Sequence, residues 1–219
     1  MEKKVHQLLM IMSLIVLNIT MNAQKPQSFS KEELRLIKDA SATVPMRVLL
    51  TTSEQDEVVL RTKSIEINPQ DKAIKLLKER LLATVNDEAT KGVGIAAPQV
   101  GINKRLFLVQ RLDKEDKAFQ LFINPQITWY SEILRKGREG CLSIPDRYGE
   151  VLRSLVIEVS YIDEKGRSQK ELIEGFTAVI FQHEYDHLDG VLYIDRIEEE
   201  AAHVYQRAEE QQQLFYKKK

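Results

Sequence analysis

The sequence predicts an α+β fold, with helices packed against mainly antiparallel strands. Three observations carry that reading. Helical periodicity, with apolar residues three or four apart, is confined to separate stretches of the chain. The strand-like runs between them are short, rich in β-branched and aromatic residues, and split by turn residues. The regular strand–helix alternation that builds a doubly wound parallel sheet is missing.

Taken in order, Ser30-Lys31-Glu32-Glu33 is a capping box and opens a short helix to about Ser41. Pro45 ends any continuation, and residues 46–50 read as a short strand. Pro69 sits just inside a longer helix whose Ile74, Leu77, Leu81, Val85 and Ala89 form one buried stripe, and Gly92 stops it. Residues 105–110, 119–124, 155–161 and 169–174 are strands, and 175–188 form the third helix. From Asp195 the chain is again expected to be helical, with Ile197, Ala201, Val204, Tyr205 and Ala208 on one side. Its Lys217-Lys218-Lys219 tail suits a helix C-terminus.

A length of 219 residues fits one domain with decorated ends. With 30% charged and 43% hydrophobic residues, the chain is neither a disordered segment nor a multi-span membrane protein. A net charge of −1 offers no basic field, so no nucleic-acid partner is expected. One cysteine, Cys141, excludes an internal disulfide framework. At the start, Lys3 and Lys4 precede an apolar run over 8–19, and Ala23 precedes polar Gln24. That order reads as a signal peptide over 1–23, too short to span a bilayer, which leaves no stable membrane span in the mature chain. The expected location is therefore the periplasm or envelope, with the cytoplasm as the alternative.

The chemistry centres on Gln182-His183-Glu184-Tyr185-Asp186-His187. Residues four apart on a helix share a face, so His183 and His187 can aim both imidazoles at one ion, with Glu184 beside them. This is the zinc-hydrolase pattern, in which a metal lowers the pKa of water and a carboxylate relays its proton. A third ligand is needed. The spacing of one protease class would put it at position 193, which is Tyr193. Another class would use a downstream acid such as Glu209 or Glu210. Cys141, in Glu139-Gly140-Cys141-Leu142-Ser143, is the third candidate, since a thiolate suits a borderline-soft metal. Gly140 permits close backbone approach there, and the N–H after the cysteine can face a reacting oxygen. The small-residue segment 92–101 follows a helix instead of opening one, carries no Gly-Lys-Ser/Thr, and so is not expected to cradle phosphate.

Three segments together resemble the peptide deformylase family: Gly-x-Gly-x-Ala-Ala-x-Gln at 92–99, Glu-Gly-Cys-Leu-Ser at 139–143 and Gln-His-Glu-x-Asp-His at 182–187. Ile95 stands where the family more commonly has Leu, a conservative exchange. The resemblance implies an α+β fold with antiparallel strands around a central metal-binding helix, as a catalytic domain over 44–196. An N-terminal extension with a short helix (24–43) and a C-terminal helix with a basic tail (197–219) flank it. It implies hydrolysis of the N-formyl group from the formyl-Met end of a peptide or nascent polypeptide, by a monomer holding one divalent metal. That metal is Fe(II) by resemblance, with Zn(II) or Ni(II) as other occupants. Cys141, His183 and His187 are then the ligands and Glu184 the general base. Gln99 and the Leu142 N–H stabilise the oxyanion. Gly92, Gly94 and Gly140 leave room for the peptide, and Val93, Phe176, Val179 and Ile180 form the methionine pocket. Glu139 is expected to pair with Arg153, and Asp186 to serve packing and support. A metalloprotease and a non-catalytic formyl-peptide-binding relative are the alternatives.

Overall fold

The structure is a computed structural model and describes residues 25–209 and 212–218; the leader expected over 1–23 lies outside them. The elements run α1 (Lys31–Lys38), α2 (Glu54–Leu60), α3 (Ala73–Asn86), β1 (Gly94–Ala96), a 3-10 turn (Ala97–Val100), β2 (Leu106–Gln110), β3 (Phe119–Tyr130), β4 (Ile133–Cys141) and β5 (Ile144–Ser154). They continue with β6 (Val156–Ile162), β7 (Ser168–Glu174), α4 (Gly175–Leu188), α5 (Tyr193–Ala201), β8 (Tyr205–Glu209) and β9 (Gln212–Lys218).

Two antiparallel sheets result, one ordered β1-β2-β3-β6-β7 and the other β5-β4-β9-β8. Strand β2 shows how the first is buried on both faces. Leu106 and Leu108 join Leu77, Leu81 and Val85 of α3, with Ile37 of α1 behind them. The alternate residues Phe107 and Val109 join Ala178, Phe181 and Leu188 of α4. Phe181 meets Phe107 and Phe122 edge-on, with ring centroids 4.9 Å from each. Each fully buried Leu or Phe here stabilises the fold by about 1.5–3 kcal/mol. Helix α4 is therefore clamped: its apolar face lies on the first sheet, and Gln182, His183, Asp186 and His187 turn to the β4–β5 hairpin.

Several elements fall where the sequence places them. Helix α1 opens with the reciprocal capping box, Ser30 Oγ accepting from Glu33 N at 3.1 Å and Glu33 from Ser30 N at 2.7 Å. Helix α4 occupies residues 175–188, starting at Gly175, whose φ of +65° suits glycine. Others differ. Pro69 precedes α3 instead of lying inside it: the chain turns first at Asn68–Asp71, where Asp71 Oδ1 accepts from Ala73 N at 2.9 Å, and the helix begins at Ala73. That helix ends at Asn86, so Ala89 is off the stripe.

Residues 46–50 are not a strand. Their donors go to single partners, Met46 N to Thr84 Oγ1 and Leu49 N to the Gln99 carbonyl, and no ladder forms. The largest correction is C-terminal. The helix expected to run past residue 204 stops at Ala201, and β8 and β9 follow as a hairpin whose Phe215, Tyr216 and Lys217 pair with β4. Pairing of β9 satisfies the unpaired backbone groups along the edge of β4, which a helix packed there would leave open. Strands β4 and β5 and helix α2 are additions that the sequence pattern does not announce.

Candidate metal centre and active site

Gly92 to Val100 form one wall of the site, the β4–β5 turn a second and α4 the third. The Cys141 Sγ and one nitrogen each of His183 and His187 lie within 4.8 Å of one another, the single group of this kind among the described residues. Cys141 Sγ stands 3.2 Å from His187 Nε2, and the two imidazoles are 5.2 Å apart at their centroids. Burial opposes ionisation of Cys141, but the charge and hydrogen bonds of His187 and His183 override it and hold the thiol well below its ordinary range. One thiolate and two imidazoles form a donor set suited to zinc or ferrous iron.

The imidazoles are held from behind. His183 Nδ1 lies 2.9 Å from Glu139 Oε2, which leaves Nε2 free to face the cysteine. Glu139 accepts two hydrogen bonds from Arg153 at 2.9 and 3.0 Å. Burial alone would raise the Glu139 carboxyl, yet Arg153 and His183 outweigh it and hold its pKa at about 2. Arg153 also reaches Asp186, which takes a second guanidinium from Arg196. The expected Glu139–Arg153 pair is thus part of a buried chain of charges ending at Asp186. The ring of Tyr193 stacks on His183, with centroids 6.2 Å apart. Gln182 pins the same helix to the hairpin, accepting from Ser154 N at 3.0 Å and donating to Ser154 O at 2.9 Å.

Glu184 is 4% exposed, and among the described residues its Oε2 has no hydrogen-bond partner. An orphaned buried carboxylate oxygen beside three ligand atoms is the mark of a group waiting for another occupant. Burial raises its pKa to about 7, against the pull of His183 and His187. Gly94 makes its position attainable, because a Cβ there would collide with the Glu184 carboxylate, 2.9 Å from its Cδ. Gln99 is anchored by Ala96 N, which donates to its Oε1 at 2.9 Å, so its Nε2 points to Cys141 Sγ at 3.5 Å and Ser143 Oγ at 3.3 Å. Leu142 follows the cysteine in the turn between β4 and β5.

The remaining expected residues are distributed around this centre. Val93 and Phe176 are exposed at 36% and 46%, while Val179 is buried. Ile180 is also buried, but it packs in the cluster with Ala96, Phe107 and Phe181. Gly92 stands against Val85, with 3.3 Å for an added Cβ, and Gly140 lies under the ring of Tyr148. Tyr193, which fills the place where one protease class has its third His, lies behind His183; of the other third-ligand candidates, Glu209 is in β8 and Glu210 falls outside the described residues. Sequence reasoning missed Tyr193, Arg196 and Tyr148 as neighbours of the centre. The only signal for Arg196 is its place ten residues after Asp186.

An α+β fold that brings a thiol, two imidazoles and a buried carboxylate to one point has the architecture of a metal-dependent hydrolase. Comparison with known proteins narrows that class. A family model described as polypeptide deformylase matches residues 47–203. A peptide deformylase of Synechocystis sp. is 47% identical over 141 residues, 64% of this chain and 74% of its own. The crystal structure of peptide deformylase from Thermotoga maritima superposes with a TM-score of 0.62 at 36% identity, covering 69% of this chain and 97% of that one. A Met-Ala-Ser-bound class I type b peptide deformylase from Acinetobacter baumannii gives 0.63 at 31% identity, over 70% and 99% of the two chains. The chain belongs to the polypeptide deformylase family, metal-dependent enzymes that remove the formyl group from nascent peptides. These relatives do not favour the metalloprotease alternative.

Proposed function

We propose that the chain removes the formyl group from formyl-methionyl peptides with Glu184 as proton carrier and with Cys141, His183 and His187 holding one divalent metal. The observation that carries the assignment is the partnerless Oε2 of Glu184 beside the converging ligand atoms. When bound, the metal supplies a Lewis acid that makes water a nucleophile near neutral pH. Glu184, with its pKa at about 7, takes the proton of the attacking water and passes it to the departing amine. The formyl C–N bond breaks, water's oxygen stays on the formyl carbon, and formate and a free α-amine result. As that carbon becomes tetrahedral its oxygen gains charge, which the Gln99 side-chain amide and the Leu142 N–H neutralise.

Gly92, Gly94 and Gly140 let Val85, the Glu184 carboxylate and the Tyr148 ring close in around the cleft that receives the peptide. Val93, Phe176, Val179 and Ile180 offer the apolar side of the cleft to the first side chain. The Met-Ala-Ser bound to the Acinetobacter relative supports a peptide that begins with methionine. Fe(II) is the metal of the resemblance. Export, supported by Lys3, Lys4 and the apolar run over 8–19, would favour redox-inert Zn(II) over Fe(II), with Ni(II) a further occupant. Metal analysis and N-terminal sequencing of the fractionated native protein test this pair of assignments. A start at Met1 confined to the cytosol would overturn export.

The catalytic roles are tested by assaying formyl-Met peptides beside an internally quenched protease substrate. Glu184→Gln is expected to keep its metal and lose about 10²–10⁴-fold in kcat. Cys141→Ala is expected to lose the metal as well, and a fully metallated, active Cys141→Ala would refute the ligand set.

A further inference from the structure

The chain has nine glycines, and eight have a local reason for being glycine. Gly101, Gly166, Gly175 and Gly190 have positive φ. A Cβ on Gly94, Gly140 or Gly149 would strike Glu184, Tyr148 or Ile197, and on Gly92 it would press on Val85. Gly137 has neither reason: its φ is not positive, and among the described residues an added Cβ meets no atom within 4 Å. It sits inside strand β4, paired with Val151, where glycine costs about 0.5–1 kcal/mol relative to alanine. A strand glycine with free space above it marks a place where something else approaches the backbone.

What faces that space follows from strand alternation. Arg135 and Glu139, two residues to either side, share its face. Arg135 lies over the ring of Phe176, 5.3 Å from its centroid, and Glu139 bonds His183 at 2.9 Å. Phe176 and His183 are two turns apart on one face of α4, with Val179 and Ile180 between them. The gap over Gly137 therefore lies between β4 and α4, closed at one end by Glu139–His183 and at the other by Arg135–Phe176. Its floor is Gly137 beside buried Val151.

We infer that Gly137 is a specificity-determining residue: its missing side chain deepens the pocket for the first residue of the substrate, so that bulky side chains, including phenylalanine, enter as well as methionine. The inference rests on the pocket proposed above. In this reading Met does not fill the gap. The Arg135–Phe176 stack is the far wall, at which an aromatic ring ends edge-on.

The test compares kcat/KM for formyl-Met-, formyl-Phe- and formyl-Ala-Ala-Ser peptides in the metal-loaded enzyme and in Gly137→Val and Gly137→Ala. The wild-type enzyme is expected to process formyl-Phe within about tenfold of formyl-Met. Gly137→Val adds three carbons to the floor, and the formyl-Phe to formyl-Ala ratio of kcat/KM should fall at least about tenfold. Gly137→Ala should fall between. A purely structural role for Gly137 would lower all three substrates alike and leave the ratio fixed. An unchanged ratio, or a wild-type enzyme that discriminates against formyl-Phe by more than about 10³-fold relative to formyl-Met, overturns the inference, and the second result needs no variant. Failure on every formyl peptide would instead overturn the proposed function.

Discussion

Replacing Arg153 by methionine isolates the buried charge chain behind the metal ligands. The substitution conserves much of the side chain's length and removes the guanidinium. Glu139 loses its two hydrogen bonds at 2.9 and 3.0 Å and keeps only His183, while Asp186 loses one guanidinium and keeps Arg196. Breaking a buried ion pair from one side costs about 3–5 kcal/mol, because the surviving charge is left uncompensated. Arg196 remaining on Asp186 places this case near the lower figure. In a domain of this size each kcal/mol corresponds to roughly 2–4 °C, so Tm should fall by roughly 6–12 °C. A second effect follows from Glu139, which fixes the orientation of His183. With that carboxylate untethered, metal affinity should drop about 10–100-fold. Thermal melts with and without chelator separate the two, since the first loss persists in the metal-free protein. Retention of both Tm and metal affinity by Arg153→Met would refute the view that this chain of charges supports the site.

Gly94→Ala should lower kcat by more than about tenfold at unchanged metal content, because the new Cβ displaces the Glu184 carboxylate; equal kcat in metal-normalised assays would count against that contact. Formyl-Met should exceed formyl-Ala in kcat/KM by at least about 10²-fold, since a methylene, a sulfur and a methyl are lost at about 1 kcal/mol or more each, and equal rates would remove the apolar pocket. Arg111 binds Asp113 and Glu171 at the end of β2. Its hydrogen bonds hold Asp113 below the usual carboxylate range, and with Tyr161 they do the same for Glu171 against the effect of burial. Groups with lowered folded pKa contribute stability that is complete above the ordinary carboxylate range and is lost progressively as pH falls from that range to their lowered folded values. Urea midpoints should therefore decline below about pH 4.5 in the wild-type chain and decline less in Arg111→Met; parallel curves would refute the assignment.

How much of this was legible in the sequence depends on what each segment buries. Helix α4 was readable to its ends because its punctuation and its metal motif agree. The Glu139–Arg153 pair was readable because Cys141 needed a supporting partner nearby. Strands β4 and β5 were not, and the reason is physical. The face that β4 turns to α4 carries Arg135, Gly137 and Glu139, so it packs through ion pairs and a gap where a hydrophobic alternation would have announced a strand. The C-terminal hairpin was hidden for the opposite reason. Ile197, Ala201, Val204, Tyr205 and Ala208 do recur at helical spacing, but pairing of β9 with the free edge of β4 is a long-range fact that no local window contains. The open space beside Gly137 also escaped, since an empty volume leaves no residue to read.

The single cysteine of this chain has an analytical consequence. Cys141 is the only thiol in 219 residues, and it stands within 4.8 Å of both imidazoles. A reagent selective for thiols can label the protein at one place only, with no background from other cysteines. The extent of labelling in the native state then counts the centres that are vacant, molecule by molecule, in a preparation of unknown loading. Mass spectrometry of such a sample would read metal occupancy as the ratio of two peaks, without a chelator, a colour reaction or an activity standard.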